Sequence, residues 1–167
     1  MLTAALRRSL IFAIAIAGTA AAAAAKEPTR KLIISGGGLV DPIEITDPAT
    51  LALADIFAEN FLDTTRQFAP VPAGLPRYEI SFYLSERNSS WFRRWWSRPR
   101  LERAYVVYFT PNDLRHESYV YLPGAGDRWA GWNHQVIIRP DREGRWNYAA
   151  TAWSQRIANA IAHARHA

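Results

Sequence analysis

Tyr78-Glu79-Ile80-Ser81-Phe82-Tyr83-Leu84 alternates apolar with more polar side chains, the pattern of a strand that lays one face on a core. The alternation returns at Tyr105, Val107 and Phe109, and again from His116 to Leu122, with Pro111-Asn112-Asp113 as a turn signal between them. Three consecutive strands of this kind favour an antiparallel meander. Upstream, Lys31-Leu32-Ile33-Ile34-Ser35 reads as a short buried strand that stops at Gly36-Gly37-Gly38, and alternation resumes over Pro42-Ile43-Glu44-Ile45-Thr46. Asp47-Pro48 supplies an N-cap and a proline at the first helical position, which predicts a helix through about Leu62 with Ala54, Phe57, Ala58 and Phe61 on one stripe.

Pro70, Pro72 and Pro76, with Gly74, make an irregular connector before the meander, because proline lacks the amide donor of regular structure. Val136-Ile137-Ile138 reads as a further strand before Asp141-Arg142-Glu143-Gly144 turns the chain. From about Ala150, Trp153, Ile157, Ala160, Ile161 and Ala164 hold one face of a final helix. Strands and helices without regular alternation point to an α+β domain, an antiparallel sheet with two main helices packed on it.

The first 25 residues bear on where that domain works. Arg7 and Arg8 precede an apolar run, Leu10 to Ala17, and Ala23-Ala24-Ala25 offers small residues to a signal peptidase. Residues 1–25 therefore read as a signal peptide and 26–167 as one domain, exported to a periplasmic or extracellular location. The general secretory route fits better than twin-arginine export, since Ser9-Leu10-Ile11 matches the latter pattern loosely. A retained anchor is the alternative, but the apolar run is short for a bilayer core of about 30 Å. The chain has no cysteine, so neither a disulfide nor a lipid-modified cysteine is available and the core must suffice.

Loss of residues 1–25 removes two of the 20 basic side chains and none of the 15 acidic ones, taking the formal charge from +5 to +3. So mild a balance, in an exported chain, argues against a nucleic-acid partner. All seven tryptophans lie beyond residue 90, and as large side chains with a single donor they suit core, stacking platform or interfacial anchor alike.

Ile33-Ile34-Ser35-Gly36-Gly37-Gly38-Leu39, Pro42 to Asp47, Leu75-Pro76-Arg77-Tyr78-Glu79-Ile80-Ser81-Phe82-Tyr83, Tyr121-Leu122-Pro123-Gly124 and Gly144-Arg145-Trp146 together resemble a group of uncharacterised small secreted bacterial proteins. The resemblance covers most of the chain after residue 25 and implies no activity, ligand or site residue. Residues 87–103, basic and aromatic, stand apart from that group's usual pattern.

Within this insert, Ser90 as N-cap and Pro99 as stop would frame a short helix. Trp91, Phe92, Trp95 and Trp96 then share one face, with Arg94 and Arg98 opposite and Arg93 and Arg100 adding charge. Indoles at a headgroup boundary beside guanidinium groups make an interfacial helix, fitted to an anionic membrane surface or an envelope macromolecule. The competing expectation is that these rings fold back on the sheet and the arginines are simply solvated. A second candidate is a ligand shelf of Trp129, Trp132, Asn133 and His134, with Arg139 or Asp141 nearby, suited to a sugar ring or a small ligand.

Other patterns favour structural readings. Three glycines at 36–38 lack the Lys-Ser/Thr of a phosphate loop and suit a hairpin. Asp41, Glu44 and Asp47 are spread in direction by the strand pleat, and His163 and His166 sit at a helix end where the dipole already favours them. No Gly-x-Ser-x-Gly, no His-Glu-x-x-His and no cysteine nucleophile occurs, so the leading expectation is a non-enzymatic binding module without cofactor or metal. An extracytoplasmic carbohydrate-binding or hydrolytic domain built on the Trp129 shelf is the alternative.

Overall fold

The computed structural model describes residues 27–66, 68–70, 73–85, 100–112 and 117–166. Six strands form one antiparallel sheet: β1 (Lys31–Gly36), β2 (Ile43–Ile45), β3 (Tyr78–Ser85), β4 (Leu101–Asn112), β5 (Glu117–Leu122) and β6 (Arg145–Tyr148), in the order β2-β1-β3-β4-β5-β6. From β3 onward each strand lies beside the next in sequence, which is the expected meander. The fold is α+β; among the described residues it has one long helix, α3 (Thr151–His166), and two single-turn helices, α1 (Pro48–Leu51) and α2 (Ala130–Asn133).

The pleat sends Leu32, Ile34, Ile80, Phe82, Tyr105, Val107, Phe109, Val120 and Leu122 to one face, where all are fully buried. Helix α3 covers this face with Trp153, Ile157 and Ile161. The Trp153 ring meets Phe61 at 5.8 Å and Phe109 edge-on at 5.4 Å. Burying each large aliphatic side chain here stabilises the fold by about 1.5–3 kcal/mol.

Three expectations are corrected. The first helix ends at Leu51 rather than near Leu62. Asp47 caps it, its carboxylate accepting the Thr50 amide at 2.8 Å, but the Asp55 carboxylate then takes the Phe57 amide at 2.8 Å in a local turn that competes with helix. The Ala54 carbonyl is bonded by Thr29, and Glu59 sits at φ 57°. Ala54 and Phe61 are core residues as their spacing suggested, yet turns deliver them.

Val136-Ile137-Ile138 forms no strand: the Asn133 carbonyl accepts the amides of Val136 at 2.9 Å and Ile137 at 3.0 Å, and Ile138 is exposed. The edge position goes to β6 instead. Gly124 and Gly144 cross so closely that a Cβ on Gly124 would lie 2.5 Å from the Gly144 nitrogen, and this contact sets the β5–β6 pairing. Finally, Pro111 and Asn112 are not a turn: they belong to β4, opposite Ser118 and Glu117.

Candidate functional site

Among the described residues no long helix lies over the opposite face of the sheet, although α2 packs on β4 there and Ser81 and Val106 are buried. Register places Glu79, Tyr108, Tyr121 and Trp146 in one row across β3 to β6. Neighbouring rings in that row lie 6.2 Å (Tyr108–Tyr121) and 5.3 Å (Tyr121–Trp146) apart, the reach of direct cross-strand pairs. The Arg77 guanidinium stands over both ends of this aromatic row, 5.2 Å from Trp146 and 5.8 Å from Tyr108. The Tyr121 hydroxyl donates to the Asp127 carboxylate at 2.8 Å, and the same oxygen accepts the Gly124 amide at 2.8 Å. Burial first, and then the Asp127 carboxylate it donates to, pushes the Tyr121 phenol up to about 12. Tyr108 is raised as well, by burial and then by the charge of Glu79.

Toward the other end of β3 a second group assembles. Tyr83 lies opposite Arg103 across a bulge that starts after Phe82. The Trp129 indole donates to Oε2 of Glu79 at 2.8 Å and has two guanidinium groups near its ring, Arg128 at 4.7 Å and Arg103 at 5.1 Å from its centroid. Trp132, 44% exposed, donates to the Arg103 carbonyl at 3.2 Å. Tyr83, Arg100, Arg103, Trp129 and Trp132 border an open cleft of about 470 Å³. Another cleft of about 530 Å³ lies beside Phe57, Leu84 and Val136, residues packed against the core.

The sequence-predicted shelf is therefore divided. Trp129 and Trp132 come together on one cleft with Tyr83 and Arg103. Asn133 does not join them: it is fully buried, its amide oxygen accepting the Val106 N–H at 2.9 Å and its amide nitrogen donating to the Val106 carbonyl at 2.8 Å. Strand β4 extends past the end of β5, and this side chain takes the place of the missing strand on its edge. His134 is bonded to Glu143 at 2.8 Å, and the other Glu143 oxygen accepts the Arg139 amide at 2.7 Å. Arg139 is buried, bonded to Glu59 at 2.6 Å and to the Ile56 carbonyl, and so braces the core; Asp141 is exposed.

Of the insert, Arg100 is exposed beside the cleft, while Trp91, Phe92, Arg93, Arg94, Trp95, Trp96 and Arg98 lie outside the described residues. His163 is exposed and its ring is bonded to the Asn159 carbonyl at 2.7 Å. No group of three or more His, Asp or Glu among the described residues could hold a metal ion.

Sequence reasoning missed Tyr108, Tyr121, Trp146 and Arg77 as a surface. The signal was present: the off-core positions of these strands are aromatic where solvated positions would be charged or small. Comparison with protein-family models, curated proteins and solved structures finds no match.

What the face can do follows from its parts. Rings offer π faces, and a guanidinium stacked on a ring keeps its N–H edge available to an oxyanion. Among the described residues Arg77, Arg103 and Arg128 have no carboxylate within ion-pair distance, unlike Arg66 or Arg139.

Proposed function

We propose that this protein is an exported binding module of the cell envelope that holds an anionic macromolecular partner against the open face of its sheet. The observation that carries the reading is the set of three arginines, Arg77, Arg103 and Arg128, resting on aromatic rings without a carboxylate partner among the described residues. Compact domains seldom leave such a surface without a use. The rings supply contact area at low conformational cost, and the arginines supply the charge that a polyanion recognises. Export rests on the leader-like residues 1–25. The contact expected of Trp91 to Arg100 with an anionic membrane is a separate arm of the same proposal.

Tryptophan fluorescence titration with dextran sulfate tests it. Binding is expected at low salt, weakening at least tenfold from 0.1 to 1 M salt as the screening length falls from about 10 to about 3 Å. Arg103→Gln combined with Arg128→Gln should weaken it further. Absence of binding to dextran sulfate and to phosphatidylglycerol vesicles at low salt would overturn the reading. On vesicles alone, Trp95→Ala with Trp96→Ala reports whether the insert takes part.

A further inference from the structure

The open face carries more than positive charge, and the additional groups narrow the partner. Each aromatic cluster contains a carboxylate held in place by a ring donor: Glu79 by the Trp129 indole, Asp127 by the Tyr121 hydroxyl. In both cases one oxygen is engaged, and Oε1 of Glu79 and Oδ1 of Asp127 make no hydrogen bond among the described residues. A carboxylate with an open oxygen accepts hydrogen bonds from hydroxyl groups and repels phosphate or sulfate. The face thus alternates guanidinium groups, which take an anion, with carboxylates, which take a neutral hydroxylated unit, and rings stand beside both.

We infer that the partner is an acidic polysaccharide in which charged sugar residues alternate with neutral, hydroxyl-rich ones; this rests on the binding-module reading above. Dimensions agree. From the Glu79 row to Tyr83 is four residues along β3, about 13–14 Å at the rise of a strand; Ser81 and Val106 are buried between the two groups, and a short run of linked sugar rings spans that distance from one group to the other. Two other anionic partners fit less well. Single-stranded nucleic acid carries a phosphate on every nucleotide, with no neutral unit between, which would set phosphates against Glu79 and Asp127. An anionic bilayer would press its headgroups on the same carboxylates.

The test compares hyaluronate, charged on alternate sugars, with polygalacturonate, charged on every sugar, and with oligo(dT) and phosphatidylglycerol vesicles, by calorimetry on the mature protein. Hyaluronate is expected to bind tightest. Glu79→Gln, which keeps an acceptor for the Trp129 indole, should weaken hyaluronate about tenfold, the scale of a hydrogen bond to a charged group. The same change should strengthen polygalacturonate and oligo(dT), because it removes a repulsion. Asp127→Asn should repeat both signs from the other cluster. If both variants bind hyaluronate as tightly as the parent does, or if oligo(dT), polygalacturonate or vesicles bind tighter than hyaluronate, the inference is overturned while a polyanion-binding face survives. If no anionic probe binds at all, the underlying function is wrong.

Discussion

Tyr121 shows how one side chain serves both the fold and the surface. Its ring is half-buried between Tyr108 and Trp146, and its hydroxyl donates to Asp127. The phenol is raised from 10.0 to about 12, so the folded protein holds this proton more tightly than the unfolded chain does. The contribution is fully present below the unfolded value near 10 and is lost as pH rises through about 12. Melting temperature measured against pH should therefore fall across that window, and fall less steeply in Tyr121→Phe, which has no proton to lose. Parallel curves for the two proteins would show that neither burial nor the bond to Asp127 raises this phenol in the folded state. At neutral pH the phenol keeps its proton and donates it to the Asp127 side chain.

At the scale of elements, α2 exists to finish a sheet. Its Asn133 side chain closes the edge of β4 at Val106, and both groups are fully buried. Asn133→Ala would leave a buried N–H and a buried carbonyl without partners, an expected loss of about 2–4 kcal/mol. In urea unfolding the midpoint should drop with little change in slope; a loss under about 0.5 kcal/mol would place this edge in contact with solvent instead. Sequence pattern could name Asn133 but not its role, because its partner lies 27 positions away and the bond has no periodic signature. Strands β1, β3, β4 and β5 were legible for the opposite reason: alternation records burial on one face directly. The first helix was overextended because turns anchored by Asp55 place Ala54 and Phe61 in the core at intervals that mimic a helical stripe. Strand β6, four residues without a clean apolar alternation, was set by the Gly124–Gly144 crossing and left no local mark.

Across the whole molecule, the two faces of the sheet differ: α3 seals one, and the other carries the aromatic row and the arginines on which the binding proposal rests. Half of the candidate site was legible, since Trp129 and Trp132 announced themselves as tryptophans in a glycine-rich stretch. The row of Tyr108, Tyr121 and Trp146 was not, because it is assembled by register from three strands and no single segment contains it. The same division predicts a separation of effects. Trp153, fully buried among Phe61 and Phe109, should cost about 3–5 kcal/mol when replaced by alanine. Its indole nitrogen has no hydrogen-bond partner among the described residues, so Trp153→Phe sacrifices no bond and should cost less than half as much. Trp146→Ala, on the open face, removes one cross-strand ring contact and should cost about 1 kcal/mol. Dextran sulfate affinity, measured where each variant is fully folded, should order the other way: unchanged in Trp153→Phe and weakened in Trp146→Ala, because Arg77 then loses one of its two rings. Equal affinity in those two proteins would remove the open face from the binding surface, whatever their stabilities.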